Sequence, residues 1–502
     1  MDSVVRGSED FKSKVIRAEE NLRYLRCGNT FIDEGKIFGM LESCRDASPQ
    51  RVRDIIARSL EIETLKPEET AALLNVRDNS LWEEIFDAAA RIKRKVYDNR
   101  VVTFAPLYCS SLCVNNCAYC GFRGDNSVIE RRRLSITEVR KETEMLAGKL
   151  GHKRLVVVFG EHPSSGTDYI CEVMREIYSV KVKTRRGCGA IRRVNVNAAP
   201  MSGEDYKKIK DAGLGTYQVF QETYHLPTYN KVHPDWTVKG DYLWRLYSLH
   251  RAMAAGIDDV AIGALFGLYD WRFEVMGLLL HARDLEDCFG IGPHTVSFPR
   301  LEPAANTPFA KNSAYRVSDA DFKKLVAVLR LSIPYAGMIV TCRETPKMMR
   351  QVIAMCTQRD ASSRVGIGAY SERTQEQEEK IQQFILGDNR SLDEVIRELA
   401  SLGYITSFCT AGYRCGRTGD NIMSMLKSGR EGCFCKLNAV LTFQEWLDDF
   451  AGDETRGIGE DLLNKEVAEI ERRSPSDFSP EVVKAFKEYR RRIKNGERDF
   501  CF

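Results

Sequence analysis

The chain has 502 residues, of which 74 are Lys or Arg and 71 are Asp or Glu, for a formal net charge of +3. So even a balance gives no reason to expect nucleic acid or a membrane as partner, and no apolar run approaches the ~18 residues that a membrane-crossing helix needs. The first ten residues lack the apolar core of a secretory signal and carry acids. The expected compartment is therefore a reducing cytoplasm, where the sixteen cysteines serve as metal ligands and buried thiols rather than as disulfides.

A length of this order buries a large core and holds more than one domain. Residues 1–99 read as a helical extension. Pro67-Glu68-Glu69-Thr70 opens one helix with acids in its first turn, and residues 81–97 carry apolar side chains at helical spacing. From Val101 the pattern changes to short apolar runs at 101–107, 155–159, 194–197, 216–220, 260–265, 294–298, 338–341 and 365–368. Helical patterns fall between them, at 137–150, 169–178, 206–212, 241–255, 272–287 and 319–331. Strand–helix alternation of this kind predicts an α/β fold over 100–385, as a (β/α)8 TIM-type barrel or as an open doubly wound sheet. Polar residues follow the strand ends: Gly160 and Glu161 after the second, Asn197 at the third, Glu222 after the fourth, Arg300 after the sixth and Arg343 after the seventh. In a barrel these ends form the catalytic rim. Residues 386–502 read as a helical C-terminal domain, with Ser391 and Glu394 at capping-box spacing and four cysteines at 409, 415, 433 and 435.

The loop after the first strand, Cys113-Val-Asn-Asn-Cys117-Ala-Tyr-Cys120, places three thiolates within reach of one iron–sulfur cluster. A closed [4Fe–4S] cluster takes four thiolates, so three leave one iron open to an exchangeable ligand. A zinc knuckle is the competing assignment, with Cys109 as the fourth ligand.

Cys-x3-Cys-x2-Cys is the pattern of the radical S-adenosylmethionine (radical SAM) enzymes. More specific stretches, Gly-Thr-Tyr-Gln-Val-Phe-Gln-Glu-Thr-Tyr-His at 215–225 and Leu-Phe-Gly-Leu-Tyr-Asp-Trp-Arg-Phe-Glu-Val at 265–275, together with 191–200, 292–303 and 407–443, resemble the HydG-type radical SAM tyrosine lyases of [FeFe]-hydrogenase maturation. The resemblance implies the barrel, and S-adenosylmethionine chelated by the open iron and cleaved to a 5′-deoxyadenosyl radical. It also implies Cα–Cβ cleavage of L-tyrosine to p-cresol and dehydroglycine. A second stage follows in that family, in which an auxiliary C-terminal cluster with a labile iron makes carbon monoxide and cyanide for hydrogenase assembly. A one-electron donor such as ferredoxin or flavodoxin, and other hydrogenase maturases, are the implied partners.

Carried onto this chain, the resemblance assigns Gly160 and Glu161 to the methionine amino group of S-adenosylmethionine, with Asn197 beside it, and Glu222 to the ribose hydroxyls. Arg343, after the seventh strand, is the candidate for the substrate carboxylate, with Arg300 as rival, because a guanidinium matches a carboxylate bidentately. His281, with His294 as the alternative, matches the ligand of the labile iron. The auxiliary motif departs from the family. Cys409 and Cys435 match two of its three cysteines, but Gly412 stands at the second position. Either Cys415 replaces the missing ligand or the auxiliary cluster is lost and the protein stops at bond cleavage. The alternatives are a diverged paralogue that releases neither carbon monoxide nor cyanide, and a non-catalytic iron–sulfur carrier or scaffold.

Overall fold

The computed structural model describes residues 2–371, 381–415, 417, 419–427, 431–474 and 476–502. Eight parallel strands close into a barrel: β1 Arg100–Ser110, β2 Arg154–Phe159, β3 Arg193–Asn197, β4 Tyr217–Gln218, β5 Val260–Gly263, β6 Thr295–Ser297, β7 Gly337–Val340 and β8 Gln358–Asp360. Each pairs with its sequence neighbour, and β8 closes the ring by pairing with β1 at Val102↔Gln358 through Phe104↔Asp360. A ninth strand, β9 Ile405–Ser407, pairs with the first residues of β1, Arg100–Val102. The C-terminal region therefore docks at the N-terminal end of the barrel, opposite the rim where barrel enzymes do their chemistry.

The alternation of side chains along β1 sets the inside and outside of the barrel. Phe104, Pro106 and Tyr108 line the interior cavity. Val101, Ala105, Leu107 and Cys109 join the core between barrel and helices. The N-terminal helix Asn79–Tyr97 packs on the barrel helix Asp319–Ser332 and on the C-terminal helix Glu431–Asp449. Capping follows the local sequence: Ser135 with Glu138, and Ser391 with Glu394, form reciprocal capping boxes at the starts of Ile136–Glu144 and Leu392–Ser401.

Hydropathy predicts the eighth strand at 365–368, but that segment forms bends and turns, with Gly368 at φ +69°. The strand forms at Gln358–Asp360, which hydropathy conceals because its residues are polar. Two of the three are buried with partners: Arg359 pairs with Asp388 at 3.1 Å, and Asp360 accepts hydrogen bonds from the Cys342 N–H and the Ser363 hydroxyl at 2.7 Å each. Buried polar groups satisfied in this way cost little.

Candidate active site at the barrel rim

A cavity of about 250 Å³ opens at the C-terminal ends of the strands. Side chains from the Cys loop and from β1, β2, β3, β4, β6, β7 and β8 line it, among them Cys113, Cys117 and Cys120. Cys117 is buried and the other two are half-buried. Burial pushes the Cys117 thiol up to about 12, the neighbouring Cys120 and Cys113 push the same way, and Lys239 opposes them. The Cys113 thiol is raised by burial and by Cys120 and Glu161. Three sulfurs converging on one cavity are stabilised as thiolates by a multiply charged cation. The donor set fits an iron–sulfur cluster. Cys109, the candidate fourth zinc ligand, points the other way on the β1 pleat and is buried in the outer core, 3.7 Å from the Leu107 carbonyl.

Gly160 lies where β2 meets the Cys loop. A Cβ there would sit 2.2 Å from the Leu112 carbonyl oxygen and 3.3 Å from Cys113 Cβ, so the close approach of the two segments requires glycine. Backbone bonds complete the junction, from Gly160 N to Ser110 O and from Val114 N to Glu161 O, both 2.8 Å. Asn115, which the motifs did not single out, ties the site together. Its amide donates to Glu161, and its carbonyl accepts from Lys239 N at 2.9 Å. Burial raises the Glu161 carboxyl, while Asn115, Arg245 and Lys239 favour its charged form.

Glu222 holds a positive φ of 71°, which turns its side chain into the cavity. One oxygen, Oε1, accepts from both Lys239 Nζ at 2.8 Å and Arg245 Nη2 at 3.2 Å. Among the described residues the other oxygen carries no hydrogen bond, which leaves it able to accept from a ligand. Burial works against the carboxylate, but the two cations outweigh it and hold Glu222 below its ordinary range. Asn197 lines the same cavity at the end of β3.

The two candidate arginines part company. Arg343 lines the cavity, with its guanidinium 3.4 Å from the centroid of the Phe384 ring. Among the described residues no carboxylate makes an ion pair with it. Arg300 does not line this cavity. Its guanidinium is held by Glu344, by Asp319 at 2.8 Å and by the Val317 carbonyl at 3.0 Å. Arg300 thus neutralises the buried Glu344 and lies outside the cavity that Arg343 faces. Gln383 also went unnoticed in the sequence. Its amide donates to Cys120 Sγ at 3.5 Å and its carbonyl accepts from Tyr108 at 2.8 Å. It lies far along the chain in a polar segment, and no motif marks it.

Comparison with known proteins agrees with this geometry. Residues 107–276 match the Radical SAM superfamily model and residues 297–405 match the Biotin and Thiamin Synthesis associated domain. The chain is 30% identical to the 2-iminoacetate synthase of Salmonella typhimurium over 358 residues, 69% of this chain and 88% of the relative. A solved HydG structure, a maturase of the [FeFe]-hydrogenase, superposes with a TM-score of 0.87 at 47% identity, covering 94% of this chain and all of the other. This chain belongs to the HydG family of radical SAM enzymes. HydG from Carboxydothermus hydrogenoformans is a second such match, at 34% identity with a TM-score of 0.75 over 91% of this chain and 97% of that one. Membership of the radical SAM family implies a [4Fe–4S] cluster and S-adenosylmethionine, and the three loop thiols are the residues placed to hold that cluster. No described helix is long and apolar enough to cross a membrane.

The HydG resemblance also directs attention to the opposite end of the barrel. Arg100, Arg154 and Arg193 open β1, β2 and β3 on the inward side of the pleat, and all three act on Cys409, outweighing its burial and drawing its thiol below the ordinary range. Cys409 and Cys435 feel each other, and burial together with Glu431 raises the Cys435 thiol against the pull of Arg100. Cys415 does not join them. It is exposed and faces Cys501 with the sulfurs 3.8 Å apart. The short helix Ala411–Arg414 separates it from Cys409 along the chain. Cys433 takes a hydrogen bond from Arg473 at 3.7 Å, away from Cys435.

His281 is likewise not where an iron ligand at that end would be. It sits on the outer helix Trp271–Phe289, stacked on His250 with ring centroids 5.7 Å apart, and its Nδ1 meets the Tyr224 hydroxyl at 2.9 Å. The helical period turns it toward Phe31 of the N-terminal extension rather than into the barrel. His294, which immediately precedes β6, is the histidine acted on by Asp259, Arg193, Arg154 and Arg100.

Proposed function

We propose that the chain is a carbon–carbon lyase that breaks the Cα–Cβ bond of L-tyrosine, giving p-cresol and dehydroglycine, the 2-iminoacetate that names its enterobacterial relatives. The observation that carries the reading is Arg343, a cavity-facing guanidinium with no carboxylate partner among the described residues, in the same cavity as Cys113, Cys117 and Cys120. When bound, the cluster and S-adenosylmethionine supply the 5′-deoxyadenosyl radical that removes hydrogen from the substrate amine. Arg343 grips the amino-acid carboxylate in its planar fork. Phe384, beneath that guanidinium, fixes its plane. Glu161 accepts from the ammonium of the methionine moiety, with Asn115 holding the carboxylate in place. The open oxygen of Glu222 accepts from ribose hydroxyls, while Lys239 and Arg245 keep that carboxylate ionised. An external one-electron donor, of the ferredoxin or flavodoxin kind, supplies the reducing equivalents. A role in hydrogenase assembly, with other maturases as partners, is the cellular context that the HydG relatives suggest.

The test is an anaerobic incubation of the reconstituted, reduced protein with S-adenosylmethionine and one aromatic amino acid at a time. Tyrosine should yield p-cresol and 5′-deoxyadenosine together. If tyrosine gives no p-cresol while phenylalanine gives toluene or tryptophan gives 3-methylindole, the substrate is wrong. If S-adenosylmethionine is not cleaved at all, the carrier or scaffold reading takes its place.

A further inference from the structure

We infer that this chain carries one cubane cluster, not two, and that a buried ion pair closes its C-terminal cysteine site. A [4Fe–4S] cluster with one open iron needs three protein thiolates. Of the five cysteines after residue 400, only Cys409 and Cys435 match the HydG motif. Cys415 faces Cys501, and Cys433 faces Arg473. At Gly412, the second position of the motif, where the HydG resemblance expects the missing thiolate, a Cβ would have room. Its nearest neighbours would be Glu431 Oε1 at 3.8 Å and the Arg417 guanidinium at 3.9 Å.

Those two side chains occupy the space a cysteine would reach into. Arg417 and Glu431 are ion-paired at 3.2 Å and are 11% and 5% exposed. Glu431 also accepts a hydrogen bond from Cys435 Sγ at 3.4 Å. Arg417 in turn lies over the Phe434 ring at 4.8 Å and donates to the Phe502 carbonyl at 2.7 Å. A guanidinium thus stands where a cluster needs an anionic sulfur. Recruiting Glu431 as an oxygen ligand would leave that cation buried without its partner, which is strongly unfavourable. The residues present do not fit an auxiliary cubane.

A consequence follows if tyrosine cleavage, as proposed above, is the reaction. Dehydroglycine leaves the enzyme whole. Water adds to its imine carbon and the C–N bond breaks, so HN=CH–COO⁻ and H₂O become glyoxylate and ammonia with no change of oxidation state. The enzyme that follows in sequence must then consume a two-carbon imine or oxo acid.

Iron and sulfide analysis with electron spin resonance of the full, anaerobically reconstituted chain tests the inference. Wild type should hold about 4 iron atoms per chain and show one cubane signal. Combined replacement of Cys113, Cys117 and Cys120 by alanine should leave almost no iron. Gly412→Cys with Arg417→Gln should gain a second signal and approach about 8 iron atoms. About 8 iron atoms in wild type, or about 4 retained by the triple-alanine variant and lost with Cys409→Ala, would overturn the inference. Measuring p-cresol in the same samples separates the two readings, because the iron count decides cluster number whether or not tyrosine is cleaved. Glyoxylate equal to p-cresol, with no carbon monoxide taken up by an added haem protein, is the expected product balance.

Discussion

Replacing Gly160 by alanine should disable the rim site with little effect on the rest of the fold. The added Cβ would lie 2.2 Å from the Leu112 carbonyl oxygen and 2.9 Å from its carbon, and both are backbone atoms that no rotamer change can move aside. Ordinary carbon–oxygen contacts begin near ~3.3 Å, so the Cys loop and β2 must separate by about 1 Å. Overpacking of this kind costs about 1–3 kcal/mol, which a chain of 502 residues can absorb. The functional loss is larger, because displacing a reacting group by about 1 Å costs on the order of 100-fold in rate, and both Cys113 and Glu161 ride on the displaced junction. The assay is 5′-deoxyadenosine formation under strong reductant, with iron content and thermal melting measured on the same preparation. The expected result is a melting point within several degrees of wild type and a rate lowered by one to two orders of magnitude. Full iron content with an unchanged rate of S-adenosylmethionine cleavage would refute the claim that this contact sets the site.

Arg343→Gln should raise the apparent KM for tyrosine by roughly 10- to 100-fold, the equivalent of a lost charge-assisted bond, while S-adenosylmethionine cleavage without substrate persists; Arg343→Lys should not restore it. Arg300→Gln should do the reverse, lowering the melting temperature by stranding Glu344, which is 1% exposed, and leaving KM unchanged. Glu274 offers a pH test. Burial pushes its carboxyl up to about 8 from 4.5, although Thr223 and the Tyr224 N–H donate to it. The native state therefore keeps a proton that the unfolded chain has released, so stability falls as pH climbs between those values and levels off above about 8. Glu274→Gln should flatten that decline, seen as a melting-point advantage over wild type that grows from pH 5 to pH 8.5; parallel profiles would contradict it.

Strand–helix alternation and the Cys loop were legible in the sequence because each is a local pattern, while the choice of a barrel over an open sheet leaned on the family resemblance. Apolar runs of strand length, helical periods between them and a fixed cysteine spacing all lie within about a dozen residues. Gly160, Glu161, Asn197 and Glu222 were found the same way, as polar residues following strand ends, and the structure brings them to one cavity. The eighth strand escaped because its residues are polar and are made tolerable by partners distant in sequence, Asp388 among them. Asn115 lies within the Cys loop, where the motif marks only the cysteines; Lys239, Arg245 and Gln383 carry no motif, and their place in the site arises only when separate segments converge.

The choice between Arg343 and Arg300 could not be made from position alone, since both follow barrel strands. In the structure Glu344 and Asp319 fold onto one guanidinium and leave the other facing the cavity, which favours Arg343. At the C-terminal end, the missing sulfur at Gly412 is a fact of the sequence. Where Cys415 and His281 point, and that Arg417 and Glu431 fill the gap, depends on which faces the helices present to the barrel. Spacing along a chain determines which groups are able to meet; packing, through the charges it must neutralise on burial, determines which of them do.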